Sequence, residues 1–119
     1  MLRVGDQIRA LRRPALGVWH YGIVVEASPR GVLVAHNDIW RGVRLDPLHV
    51  FTRGQQPHLL RGAPFGRGQE IRARALQMLH RRWDLETFNC EHFVTLAQDG
   101  VAQSPQLAGM GAIAMTASL

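Results

Sequence analysis

A single cysteine in a chain of 119 residues leaves no internal disulfide to brace the fold, so a hydrophobic core alone must hold it. That length suffices for one domain to bury such a core without a structural metal. The cysteine, Cys90, stands where an irregular stretch turns into a helix. From Glu91 to Gln98 there is neither Gly nor Pro, and Cys90, Phe93, Val94 and Ala97 follow the i, i+3, i+4, i+7 spacing of an amphipathic helix, which Gly100 then ends. Asn89 is a good N-cap residue, so Cys90 falls at the first helical position. There the unpaired N–H groups and the positive end of the helix dipole favour an anion, and a lowered thiol pKa is the expectation. Placement alone fits two roles, a small buried hydrophobe and a reactive thiolate. His92 does not decide between them: two residues along a helix is a rotation of roughly 200°, and the side chains diverge. A base for Cys90 must come from elsewhere, and His92 is read as support for the helix start or a neighbouring loop.

The rest of the chain supplies candidates. Residues 4–11 and 18–26 read as strands, the second rich in β-branched and aromatic residues around His20. Ser28-Pro29-Arg30-Gly31 is a hairpin turn, and 32–36 is the returning strand, ending at His36. Antiparallel strands joined by a short turn bring their outer ends together, so His20 and His36 can be neighbours. Residues 37–47 read as less regular, 48–52 as a short strand and 53–64 as a loop. A helix is expected over 68–82, with Ile71, Ala75, Met78, Leu79 and Trp83 on its buried face. The order of elements predicts an α+β fold, an antiparallel sheet packed against helices. Glu91 is explained by the helix dipole, and His49, His58 and His80 read as surface or loop residues. Trp19, Trp40, Phe51 and Phe65 are candidates for an apolar groove, with core packing the commoner use of such residues.

The formal charge is +5, and all 14 basic residues are arginine. Such a balance suits anionic partners, phospholipid head groups or nucleic acid. No zinc-finger spacing, helix-turn-helix pattern or basic-aromatic run supports nucleic acid. His20, His36 and Cys90 contain no close ligand pair, so no metal or other cofactor is assigned. The first residues lack the apolar run of a signal peptide, and no segment reaches the roughly 20 apolar residues that span a bilayer. A cytoplasmic location is the default expectation, with peripheral membrane association or export without a signal peptide as the variants.

A cysteine heading a helix and a histidine on a sheet, oriented by a further polar residue, form the constellation of papain-type hydrolases, here with the histidines ahead of the cysteine as in a circular permutation. Asn89-Cys90-Glu91-His92-Phe93-Val94 resembles the NCEHFV signature of the lecithin retinol acyltransferase family, a permuted NlpC/P60 group that includes phospholipase A/acyltransferase enzymes. Gly5-Asp6-Gln7-Ile8-Arg9 with Arg13-Pro14, Trp19-His20-Tyr21-Gly22-Ile23-Val24, Val34-Ala35-His36 and Gly100-Val101-Ala102-Gln103-Ser104 are similar to further family segments, in the same order. The resemblance implies a domain over 1–106 followed by a small apolar tail at 107–119, too short to cross a membrane as the carboxy-terminal segment of vertebrate members does.

By the same resemblance Cys90 is the nucleophile, His20 its base and His36 the residue that orients His20. The Cys90 backbone N–H serves the oxyanion, and Trp19 and Tyr21 flank the substrate. The implied reaction is attack on a phospholipid ester at a membrane surface, through an acyl-thioester enzyme and without metal. Two other readings stay open: a cysteine peptidase or amidase acting on peptidoglycan or an isopeptide, and a binding module that keeps the fold without turnover. In a bacterium, a delivered toxin of this kind would have an immunity or regulatory protein as partner.

Overall fold

The structure is a computed structural model and describes residues 1–101 together with Ser104; the tail read at 107–119 lies outside the described residues. Among the described residues five strands form one antiparallel sheet: β1 (Gln7–Arg13), β2 (Val18–Ser28), β3 (Gly31–Asp38), β4 (Gly42–Pro47) and β5 (His58–Arg61), in spatial order β4-β3-β2-β1-β5. Three α-helices among the described residues accompany it: α1 (Leu48–Thr52), α2 (Gly68–Gln77) and α3 (Cys90–Asp99). The expected α+β class is the one the chain adopts. No described helix is long and apolar enough to cross a membrane.

Alternate residues of a strand face opposite ways, and here both faces of the sheet are covered. Tyr21, Ile23 and Val25 pack with Ile71 and Ala75 of α2 and Phe93, Val94 and Ala97 of α3. Val24 turns to the other face, where Ile8, Ala10, Val34 and Phe51 of α1 form a second cluster. A Cβ on Gly22 would lie 2.5 Å from Val34 Cγ1 and 2.8 Å from Phe51 Cε1, so the glycine is what lets α1 settle on the sheet. Arg74 ties the two long helices together: its guanidinium donates to the carbonyls of Ala97 and Gln98, at 2.5 and 2.7 Å, where the negative end of α3 favours a cation.

Four expectations are corrected. Residues 48–52 form the helix α1, not a strand; Pro47 opens it, Arg53 closes it in the left-handed region at φ 51°, and only Phe51 and Thr52 are buried. The stretch read as irregular contains β4, and the stretch read as a loop contains β5, an edge strand with all four residues exposed. The helix expected over 68–82 stops at Gln77. There the chain turns through His80 at φ 71°, and the segment bonds to β4: the His80 N–H donates to the Val43 carbonyl, and the Val43 N–H to that of Arg81. Trp83 therefore leaves the helix and stands beside the site described next.

Candidate active site

Strands β2 and β3 pair from Ser28 opposite Gly31 up to Gly22 opposite His36, and no further. Beyond that point β2 runs on along β1 to Val18, while β3 runs on along β4 to Asp38. The two strands part, and the start of α3 enters the opening. From the β3 side, Asn37 Nδ2 donates to the carbonyls of Phe88 and Asn89, at 2.8 and 3.3 Å. From the β2 side, the backbone N–H of Tyr21 is directed at the Cys90 thiol.

The helix start is itself closed by side chains. Asn89 Oδ1 accepts from the N–H groups of Glu91 and His92, at 2.9 and 3.0 Å, and the Asn89 N–H donates to His92 Nδ1 at 3.0 Å. This is a capping box with histidine in the place usually held by Glu or Gln. The Phe93 N–H donates to the Asn89 carbonyl, and the Cys90 N–H, with no oxygen acceptor among the described residues, lies beside its own thiol. Glu91 does more than face a dipole: it is buried, and its carboxylate accepts from the Ser104 hydroxyl at 3.0 Å, which in turn accepts from Asn89 Nδ2.

The histidines meet as the hairpin geometry implied. His20 Nε2 lies 2.9 Å from His36 Nδ1, with the two buried rings perpendicular and the Phe51 ring 5.3 and 5.4 Å from them. A third member was not read from the sequence. His36 Nε2 lies 2.7 Å from Asp46 Oδ2 on β4, and Arg44 grips the same carboxylate, with Nε 2.8 Å from Oδ2 and Nη2 3.1 Å from Oδ1. Burial works against the Asp46 charge, but the bonds from His36 and Arg44 outweigh it and hold the carboxyl below the usual range.

Proton positions follow from this chain of acceptors. An ionised Asp46 only accepts, so His36 carries its proton on Nε2. Burial holds His36 neutral against the pull of Asp46, leaving its Nδ1 bare to accept from His20 Nε2–H. Burial, followed by the positive charge of Arg12 and with that of Arg53 adding to it, drives His20 well below the ordinary imidazole range. A neutral His20 protonated on Nε2 carries its lone pair on Nδ1, ready to accept a proton.

His20 and Cys90 line one cleft of about 340 Å³, with Trp19, Trp40, Arg12 and Arg53 among its other walls. No hydrogen bond joins the thiol to His20; in free enzymes such contacts often tighten only around the substrate. The expectation of a lowered thiol pKa is overturned. Burial pushes Cys90 up to about 11, and the N–H groups of Tyr21, Cys90 and Glu91 oppose it without prevailing, partly because the Glu91 carboxylate lies nearby. Cys90 rests as a thiol, and the ionised sulfur must be made by proton transfer.

Of the two expected substrate neighbours, Trp19 lines the cleft and the Tyr21 side chain does not. The Tyr21 phenol is buried against the α3 side, pushed up to about 12 by burial and by Glu91, and only its backbone serves the thiol. Among the other aromatic candidates, Phe51 is core, Phe65 is fully exposed and Trp40 stands out at the cleft. His49, His58 and His80 are exposed. The fold and site together define a class by geometry: an α+β chain whose helix-heading cysteine shares a cleft with a His-His-Asp chain. No protein-family model matches this chain, and no curated protein matches it.

Proposed function

We propose that the chain is a thiol-dependent acyl hydrolase or acyltransferase acting on phospholipid esters, built on a permuted NlpC/P60 frame of the lecithin retinol acyltransferase type. The observation that carries this reading is the buried His20–His36–Asp46 chain, whose outer imidazole opens on the cleft that Cys90 lines. His20 Nδ1 takes the proton of Cys90 as the sulfur attacks the ester carbonyl. The Cys90 N–H faces the developing oxyanion. Collapse of the tetrahedral intermediate breaks the C–O bond, and His20 returns the proton to the departing lysolipid oxygen. Water, or an acceptor alcohol or amine, then attacks the thioester, with His20 again taking the proton and Cys90 leaving as the thiol.

The test is incubation with phosphatidylglycerol vesicles, followed by lipid analysis and intact mass. Wild type is expected to release lysolipid and to carry a transient acyl mass, and Cys90→Ala to do neither, a loss of at least about 10⁴-fold if the residual rate is set by binding alone. Equal rates for wild type and Cys90→Ala would remove the thiol chemistry. Release of peptide from cell wall, without action on vesicles, would move the substrate from ester to amide.

A further inference from the structure

The rim of the cleft has features the bond-breaking chemistry does not use. The turn between β3 and β4 is held tightly: Asp38 Oδ1 accepts from the N–H groups of Trp40 and Arg41, at 2.8 and 3.0 Å, and Gly42 follows at φ 75°. This turn holds Trp40 outward with 88% of its surface exposed, beside Ile39 at 37%, and both side chains border the cleft. An indole fixed in that position buries no core surface. Arg12, Arg13 and Arg53 border the same cleft and form no ion pair among the described residues. The one carboxylate in the cleft wall, Asp38, accepts the Trp40 and Arg41 N–H groups on Oδ1 and forms no ion pair among the described residues. Arg12 is held below the usual guanidinium range by burial and by the like charge of Arg53, which outweigh the opposing charges of Asp38 and Asp46.

An aromatic with a polar edge, an aliphatic neighbour and guanidinium groups around one cleft match the composition of a lipid-interface contact. We infer that this rim is the surface by which the chain docks on an anionic phospholipid layer, Ile39 and Trp40 entering the acyl boundary while Arg12, Arg13 and Arg53 meet lipid phosphates. The inference rests on the proposed lipid substrate, and it names the face that meets the bilayer and the charge of lipid it selects. Docking in this pose sets the cleft mouth, and hence Cys90, against the head groups, so that an ester can enter without crossing water. Single-stranded nucleic acid also combines phosphate with faces for stacking, but it calls for a succession of aromatic platforms. Ile39 beside Trp40 offers an aliphatic wedge in place of a second platform.

The experiment uses the full chain with Cys90→Ala, so that lipid stays intact, mixed with vesicles of phosphatidylcholine alone or of equimolar phosphatidylcholine and phosphatidylglycerol. Co-sedimentation and tryptophan emission are read together. Partition onto the anionic vesicles is expected, weakening with salt and accompanied by a blue shift. Arg12→Gln and Arg53→Gln should each lower the partition coefficient about fivefold, the effect of one basic residue at such a surface. Trp40→Ala should weaken binding and remove the blue shift while circular dichroism stays unchanged, since the side chain supports no packing.

Equal partition onto neutral and anionic vesicles, undiminished binding and blue shift in Trp40→Ala, or tighter binding to a single-stranded oligonucleotide than to vesicles would overturn the inference. Failure here and failure of the proposed chemistry are separable. Vesicle binding with no lysolipid from wild type keeps the docking face and removes the chemistry. Lysolipid from detergent-dispersed lipid, with no partition onto vesicles, does the reverse.

Discussion

At the scale of single residues, Asp46 decides where protons sit two side chains away. It was invisible in the sequence because nothing local marks it: its tie to His36 exists only through the β3–β4 register, in which His36 faces Arg44 and Asp46 lies diagonally across. His20 and His36, by contrast, were legible, since a hairpin with an apparent turn fixes which strand ends meet. Replacing Asp46 by Asn tests the assignment. Arg44 would hold the amide oxygen and turn the NH₂ toward His36, which must then accept on Nε2 and carry its proton on Nδ1. That proton would point at His20 Nε2, and His20 would be left protonated on the nitrogen that should receive the thiol proton. The expected result is a fall in kcat/KM of about 10²–10⁴-fold, the contribution of a positioned base, with the fold intact. Nitrogen chemical shifts of His20 should report the reversed tautomer, and a variant that keeps both the wild-type tautomer and full activity would exclude the role. The thiol was misjudged for a related reason: the helix-start argument weighs the dipole, while burial and Glu91 follow from packing that no local pattern displays.

Among the elements, those that a single face decides were legible and those that pairing decides were not. The β2 run, the Asn89 cap and the Gly100 stop all carry their signals locally, and α3 spans Cys90–Asp99 with both caps in place. β4 has Gly and Pro at its ends and mixes buried Val43 with buried Asp46, so it shows no clean alternation. β5 buries nothing and exists through its bonds to β1. Five residues of α1 are too few for a helical period to separate from a strand. The contact between α1 and the sheet nevertheless governs the site, because Phe51 lies against both imidazoles. Gly22→Ala should push Phe51 and Val34 apart and cost about 1–3 kcal/mol, the usual range for overpacking. Denaturant titration should show a lower midpoint with unchanged slope. A midpoint equal to wild type would mean that α1 shifts freely, and the support it gives the histidine pair would have to be abandoned.

For the whole molecule, the buried titratable groups bound stability from both sides. His20, His36 and His92 all sit below the ordinary imidazole pKa, burial being the leading cause for each. Above about pH 6.5 neither the folded nor the unfolded chain protonates them, and they are neutral to stability. As the pH falls below about 6.5, the unfolded chain takes up protons that the folded chain refuses, so stability declines. Asp46 adds a second acid loss lower down, because its stabilising charge is present above the usual carboxylate pKa and disappears as the pH falls through its depressed folded value. Cys90 acts at the alkaline end. With its folded pKa near 11, above an unfolded value of about 8.5, the unfolded chain releases a proton that the folded chain retains, and stability falls as the pH rises through that interval. The melting temperature should therefore pass through a maximum between about pH 6.5 and 8.5. Cys90→Ala should flatten only the alkaline side. A variant lacking the His20 imidazole, His20→Gln, should flatten part of the acid side and leave the alkaline side unchanged. A melting temperature that rose on acidification from neutrality would mean that the imidazoles welcome protons in the folded state, and the neutral chain from Asp46 to His20 could not then exist.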